Sequence, residues 1–231
     1  MRRFYQQARA ITAGTEFTIL LDGKPLRTPA GAPLLLPTLA LAEAIAAEWQ
    51  AQGEQVQPRS MPMMQLAATA IDRVRPRRAQ VIDEIVAYGG TDLLCYRAER
   101  PPDLVQRQEE IWQPLLDWLR QRYDAHLQVT RCVVAVPQSD SSLGRLRAAV
   151  AAEGDLALAG LHALTGSLGS LVLALAILEG RIDAEAAFQA CQLDETFQIE
   201  RWGADTEAMA ARESLRQDIA ATARFVAMAR V

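Results

Sequence analysis

Three consecutive pieces decide the fold: Glu16-Phe-Thr-Ile-Leu-Leu21, Asp22-Gly23 and Lys24-Pro-Leu-Arg-Thr28. The first is rich in β-formers and reads as a strand. Asp-Gly supplies the positive φ angles of a type I′ hairpin turn, so the third piece is the return strand. Pro25 has no N–H to give a ladder, which places it at an edge or a strand start. Pro29-Ala-Gly31 is a second turn and Pro33-Leu-Leu-Leu36 a third short strand. Residues 4–36 thus predict a small antiparallel sheet.

A helix follows the sheet. Thr38 caps it behind Pro37, and residues 39–49 are strong helix formers. Leu41, Ile45 and Trp49 recur at i, i+4 and i+8, giving one apolar face to cover the sheet. Trp49, Asp22 and Gly23 are therefore expected to serve the fold. Residues 50–62 read as loop. Arg27-Thr28-Pro29, Trp49 and Met61-Pro-Met-Met64 read as helix-on-sheet packing, with an adaptable methionine surface as the other option. The four arginines of residues 73–78 surround Pro76 and read as a solvated loop. A helix over 80–88 closes at Gly89-Gly90, and Asp92 behind Thr91 reads as a cap or turn former.

The remainder is mainly helical. Helices are expected over 104–123 (with Pro114 inside), 139–152, 156–164, 168–178 and 184–201, the last capped by Asp183. Asp205 caps a final helix to about residue 229. Residues 127–136 are the one late β-like run. The predicted class is α+β: a small antiparallel β-rich N-terminal domain with a covering helix, residues 1–90, then a mainly α-helical C-terminal domain, residues 91–231.

Composition narrows the function. Half of the 231 residues are hydrophobic and 23% are charged, enough to build a core. The net charge of −4 argues against a nucleic-acid binder, which must neutralise phosphates. His126 and His162 lie far apart, and Cys95, Cys132 and Cys191 form no CxxC, so neither a metal site nor a disulfide framework is expected. Scattered thiols fit a reducing compartment. Residues 156–178 carry no formal charge and are long enough to span a bilayer. Thr165-Gly166-Ser167 reads as a break making two buried core helices, so membrane insertion is not expected.

Catalytic motifs are missing. No GxxxxGK[ST], GxGxxG or HExxH occurs. Thr165-Gly-Ser-Leu-Gly169 resembles a nucleophile elbow but has Thr first and no strand before it. His162, in an apolar run, reads as a hydrogen-bonded core histidine. No catalytic residue, cofactor or small-molecule substrate is expected. The alternative is a small soluble enzyme using carboxylates such as Asp92 and Glu195, which must then converge in one pocket with shifted pKa values.

One constellation is dense: Asp194-Glu-Thr-Phe-Gln-Ile-Glu-Arg-Trp-Gly-Ala-Asp-Thr-Glu207. On a helix Glu195, Gln198 and Trp202 fall at i, i+3 and i+7 and share a face, while Phe197 and Glu200 point elsewhere. Gly203 ends that helix. The strip reads either as a partner surface with a Trp anchor or as a core Trp202 among solvated carboxylates.

Leu21-Asp-Gly-Lys-Pro-Leu-Arg-Thr-Pro29, Leu36-Pro-Thr38, Glu48-Trp49, Met61-Pro62, Thr69-Ala-Ile-Asp72, Tyr88, Thr91-Asp-Leu-Leu-Cys-Tyr-Arg97, Gly169-Ser-Leu171 and the spaced set Glu195, Gln198, Glu200, Trp202, Gly203, Asp205 and Glu207 resemble, in this order, the blocks of the Atp12 family of F1-ATPase assembly chaperones. The resemblance runs nearly end to end. It implies a β-containing N-terminal and a helical C-terminal domain, no cofactor, and binding to the free α subunit of F1 until β replaces the chaperone. Within that reading Glu195, Gln198, Glu200, Trp202, Asp205 and Glu207 are the candidates to make the partner contact or hold its geometry, while Trp49, Asp22, Gly23 and Asp92 are structural by their local patterns. A bacterial member would be cytoplasmic and a eukaryotic one mitochondrial matrix. The start of the chain shows neither the apolar core of a secretory signal nor an Arg/Ser-rich presequence.

Overall fold

Strands β1 (Ala8–Ala13), β2 (Glu16–Leu21) and β3 (Lys24–Pro25) form one antiparallel sheet in the order β1-β2-β3. The computed structural model describes residues 2–132, 134 and 136–230. Asp22 and Gly23 both take positive φ, 46° and 82°, as the hairpin turn requires. The Asp22 carboxylate accepts the backbone N–H groups of Gln6 and Gln7, which hold its pKa below the usual range. One aspartate thus closes the turn and fixes the entry to β1.

Helix α1 (Leu39–Gln50) packs on β1 and β2, capped by Thr38 Oγ1. Leu41, Ile45 and Trp49 are buried as their spacing predicts. The Tyr5 hydroxyl donates to the Trp49 carbonyl at 2.6 Å, and the two rings meet edge to face at 5.6 Å. Helix α2 (Pro62–Thr69) lacks a side-chain N-cap of its own. Glu48 supplies it from α1, accepting from Met63 N at 2.7 Å and Met64 N at 2.9 Å. Met61, Met63 and Met64 are buried, so this methionine group is core.

The further helices are α3 (Arg78–Gly90), α4 (Pro102–Tyr123), α5 (Asp140–Ala151), α6 (Asp155–Leu168), α7 (Leu171–Leu178), α8 (Ala184–Cys191), α9 (Leu193–Trp202) and α10 (Thr206–Ala229). The architecture is the expected α+β one. Met1–Arg78, Gly154–Gly160 and Arg224–Val231 form one compact unit, Ala79–Glu153 and Leu161–Ala223 the other.

In the first unit, Ile19, Leu34, Leu36, Leu41 and Ile45 are fully buried. Asp72 clamps the second turn, accepting from Thr28 Oγ1 at 2.6 Å and Ala30 N at 3.0 Å. Asp155 receives Arg75 at 2.9 Å and Arg78 at 2.8 Å. Gly160 lies against Val226, whose Cγ1 leaves no room for a β-carbon. Only glycine allows that approach of α6 to α10.

In the second unit, Trp112 and Leu119 of α4 are fully buried, and Trp112 Nε1 donates to the Ala190 carbonyl at 2.9 Å. Asp92 has no exposed surface. Its Oδ1 accepts from Leu94 N at 3.1 Å and Ser170 Oγ at 2.7 Å, and its Oδ2 from Val172 N at 3.0 Å. Ser170 in turn caps α7 through Leu173 N. Asp92 is thus the cap and turn former its position suggests, extended into a tie between two segments. Burial pushes its carboxyl up to about 6, against the pull of donors from Val172, Ser170, Leu94 and Leu171.

Several expectations are corrected. Strand β1 did not stand out in Ala-Arg-Ala-Ile-Thr-Ala; six residues of register against β2 make it a strand. The return strand stops at Pro25, and residues 33–36 contribute only single bridges, Arg27 with Pro33 and Phe17 with Leu36. The arginine run is not a loop: a π-turn (Ala70–Val74) and a 3₁₀ turn (Arg75–Arg77) lead into α3, and Pro76 falls where a missing N–H is tolerated. Helix α3 runs through Gly89, which packs against Leu143, Leu146 and Leu171. Helix α6 continues through Thr165-Gly166-Ser167 and breaks instead at Gly169, φ 63°, ahead of the Ser170 cap. His162 is not core; half-exposed, its Nε2 meets Glu84 Oε2 at 3.1 Å. The expected helix over 184–201 breaks at Gln192. Of the β-like run 127–136, the described part makes one bridge, Tyr96 with Thr130, and Val133 and Ala135 lie outside the described residues. Among the described residues no helix is long and apolar enough to cross a membrane.

Two predictions follow from this packing. Gly160→Ala should lower stability by about 1–3 kcal/mol in urea unfolding, because overlap with Val226 outweighs a helix-propensity gain of roughly 1 kcal/mol. Val226→Ala in the same chain should restore part of the loss; no rescue would show that another contact is responsible. Asp92 binds its proton more tightly in the folded state than in the unfolded chain. Its contribution is complete below the unfolded value of 3.8 and is lost as pH rises through about 6. Wild-type stability relative to Asp92→Asn should therefore fall by on the order of 3 kcal/mol from about pH 4 to about pH 7. A flat difference across that range contradicts the assignment.

Candidate functional site

Helix α9 has two faces with opposite duties. Leu193 and Phe197 are buried, four residues apart on one side. The polar residues flanking them hold α9 to α4. Gln108 Nε2 donates to Asp194 Oδ1 at 2.7 Å, Arg107 pairs with Glu200 at 2.7 Å, and Arg201 pairs with Asp103. The Arg107 and Arg201 guanidiniums also sit over the Phe197 ring, at 5.3 and 4.3 Å from its centroid. Each exposed pair is worth little energy by itself, but together they fix the rotation of α9 about its axis.

That rotation sends Glu195, Gln198 and Trp202 outward, the shared face predicted from their spacing. Trp202 is 78% exposed, so the reading that buried it in the core is wrong. Among the described residues the side chains of Glu195, Gln198 and Trp202 make no hydrogen bond or ion pair. Glu200 lies off this face, engaged by Arg107. Gly203, with φ 88°, ends the helix. Asp205 Oδ2 then caps α10 by accepting from Ala208 N at 3.0 Å, and Glu207 is exposed in the first turn. Met209, 44% exposed on α10, was not singled out by the sequence.

The four residues expected to be structural lie elsewhere: Asp22 and Gly23 in the hairpin turn, Trp49 in the α1 face, and Asp92 under α7. Asp92 and Glu195 do not share an environment, because one has no exposed surface and the other stands in solvent. The thiols of Cys95 and Cys191 are pushed up to about 12 by burial and stay protonated, which suits packing rather than nucleophilic chemistry. Among the described residues no group of three His, Cys, Asp or Glu side chains is placed to hold a metal ion.

Sequence reading missed Arg107 and Arg212. Neither belongs to a motif: Arg107 reaches α9 from α4, far earlier in the chain, and Arg212 reaches back to it from the helix that follows. Arg212 donates to Gln192 Oε1 and Thr196 Oγ1 at 2.8 and 2.9 Å.

Comparison with known proteins bears on the whole chain. A family model described as ATP12 chaperone protein matches residues 2–120. Protein atp12, mitochondrial, of Schizosaccharomyces pombe is 25% identical over 235 residues, covering 96% of this chain and 81% of that protein. The crystal structure of Atp12 from Paracoccus denitrificans is similar with a TM-score of 0.94 and 44% identity, over 99% of this chain and 98% of that one. A point mutant of P. denitrificans Atp12p gives 0.95 with the same identity and coverage. Atu1473 of Agrobacterium tumefaciens gives 0.93 at 37% identity, over 99% of this chain and 86% of that one. The family match contains Asp22, Trp49 and Asp92, while the structural likeness extends through α9 and α10. With the family model matching just over half of the chain and solved Atp12 structures superposing over nearly all of it, the chain belongs to the ATP12 chaperone protein family.

Proposed function

We propose that this protein is an assembly chaperone for ATP synthase, that its partner is the free α subunit of F1, and that it covers the surface α later buries against β. The observation that carries the reading is Trp202, standing in solvent beside Glu195 and Gln198 with no internal partner. An exposed tryptophan on a rigid helix is an interface anchor without an interface. A free α subunit exposes apolar area that drives wrong association, and a protein that covers this area needs no cofactor. Glu195, Gln198 and Trp202 make the contact. Glu200, Asp205 and Glu207 support it by fixing α9, capping α10 and adding negative charge. The site of action is the cytoplasm in a bacterium or the mitochondrial matrix in a eukaryote.

The test is a pull-down with separately expressed F1 α and β subunits, with assembled F1 as control. The expected result is retention of free α but of neither β nor assembled F1. Glu195→Lys and Trp202→Ala, each with an unchanged circular dichroism melt, should weaken α binding about tenfold or more. Failure of the wild type to retain α would overturn the chaperone reading. Retention by both variants at wild-type strength would move the contact to another surface.

A further inference from the structure

A cleft in the second unit carries chemistry that the outward face of α9 does not. It is lined by Arg107 and Ile111 of α4, Phe188 of α8, Leu193 and Thr196 of α9 and Arg212 of α10, and encloses about 390 Å³. Most of its walls are apolar, and Ile111 is 40% exposed.

The charges around it are not equivalent. Arg107 is already matched by Glu200. Glu185 also borders the cleft and is matched by Arg216 at 2.6 Å, with Gln189 donating to its other oxygen at 3.1 Å. Arg212 differs. It donates only to the neutral oxygens of Gln192 and Thr196, and its guanidinium lies over the Phe188 ring at 5.3 Å. Among the described residues no carboxylate pairs with it. Arg212 is therefore a half-buried cation, oriented by two hydrogen bonds and an aromatic face, and lacking a counter-ion.

A guanidinium fork has five N–H groups, and two are committed here. A fixed fork beside apolar walls recognises a carboxylate attached to something apolar. We propose that this cleft receives an acidic side chain of the bound polypeptide together with the apolar residue next to it. The inference rests on the chaperone reading, in which that polypeptide is the free F1 α subunit. Acidic Glu195 on α9 and cationic Arg212 on α10 then give this surface two contacts of opposite sign, which fixes the orientation of the partner.

The experiment measures binding of isolated F1 α subunit to the full-length protein at low and high salt. Arg212→Gln removes the charge. Ile111→Glu, at an exposed position, places a competing carboxylate on the rim without disturbing the core. Both variants should fold as the wild type does and bind α about tenfold more weakly. Arg212→Gln should also reduce the salt dependence of binding, which the loss of a merely structural hydrogen bond would not. If Arg212→Gln misfolds, Ile111→Glu alone decides by the same loss of affinity. Wild-type binding with undiminished affinity and salt dependence in the folded variants overturns the cleft alone. Wild type that binds no α subunit removes the chaperone reading and this inference with it.

Discussion

A carboxylate removed from water has to be satisfied from within, and Asp92 sets that condition for the helical unit. Every residue of α7 is buried, so the free N–H groups at its start cannot turn to solvent. Asp92 and Ser170 supply the acceptors. The same turn leads to Arg97, which is buried, donates to the carbonyls of Leu94 and Gln108, and lies over Trp112. Arg97 and Trp112 fix the start and middle of α4. That helix carries Asp103, Arg107 and Gln108, the residues that hold α9. The outward aim of Trp202 thus depends on a chain of polar contacts that starts at a buried aspartate.

The N-terminal unit repeats the device. Asp22 ties the hairpin to the residues before β1, Glu48 caps α2 from α1, Asp72 clamps the turn after Thr28, and Asp155 gathers two arginines. Each bridges segments distant in sequence, where a short carboxylate accepts from backbone N–H groups or a guanidinium. Most polar residues of the ATP12 blocks therefore have internal obligations. Among the described residues, Glu195, Gln198, Trp202 and Glu207 have none and stand in solvent. Their exposure has a cost: a surface Trp invites unwanted association, and the neighbouring carboxylates counter it by keeping the surface solvated.

What was legible follows from the range of the interactions involved. The hairpin turn, the α1 face, the caps at Thr38, Asp183 and Asp205, and the shared face of Glu195, Gln198 and Trp202 all depend on neighbours within a few residues. Local chemistry settled them. The misreadings share a different cause. Ala-Arg-Ala-Ile-Thr-Ala has weak intrinsic preference and is a strand only because β2 pairs with it. Thr165-Gly-Ser167 resembles a break but remains helical within α6, and the chain turns two residues later, where Gly169 adopts positive φ. The arginine run resembles a loop until Asp155 neutralises two of its charges from 80 and 77 residues away.

Capping, turn geometry and periodicity act over one or two turns of chain, so the hairpin turn, the helix caps and the apolar helix faces could be read from the residues alone. Whether Trp202 is core or surface depends on which side of α9 meets α4, and that is settled by packing between segments far apart in the chain. Such packing alone also brought residues 154–160 and 224–230 together with the N-terminal unit, where Gly160 admits Val226. And it placed Arg212 beside Phe188 without a carboxylate. Burial and charge balance are sums over segments far apart in the chain, and no local window contains all of their terms.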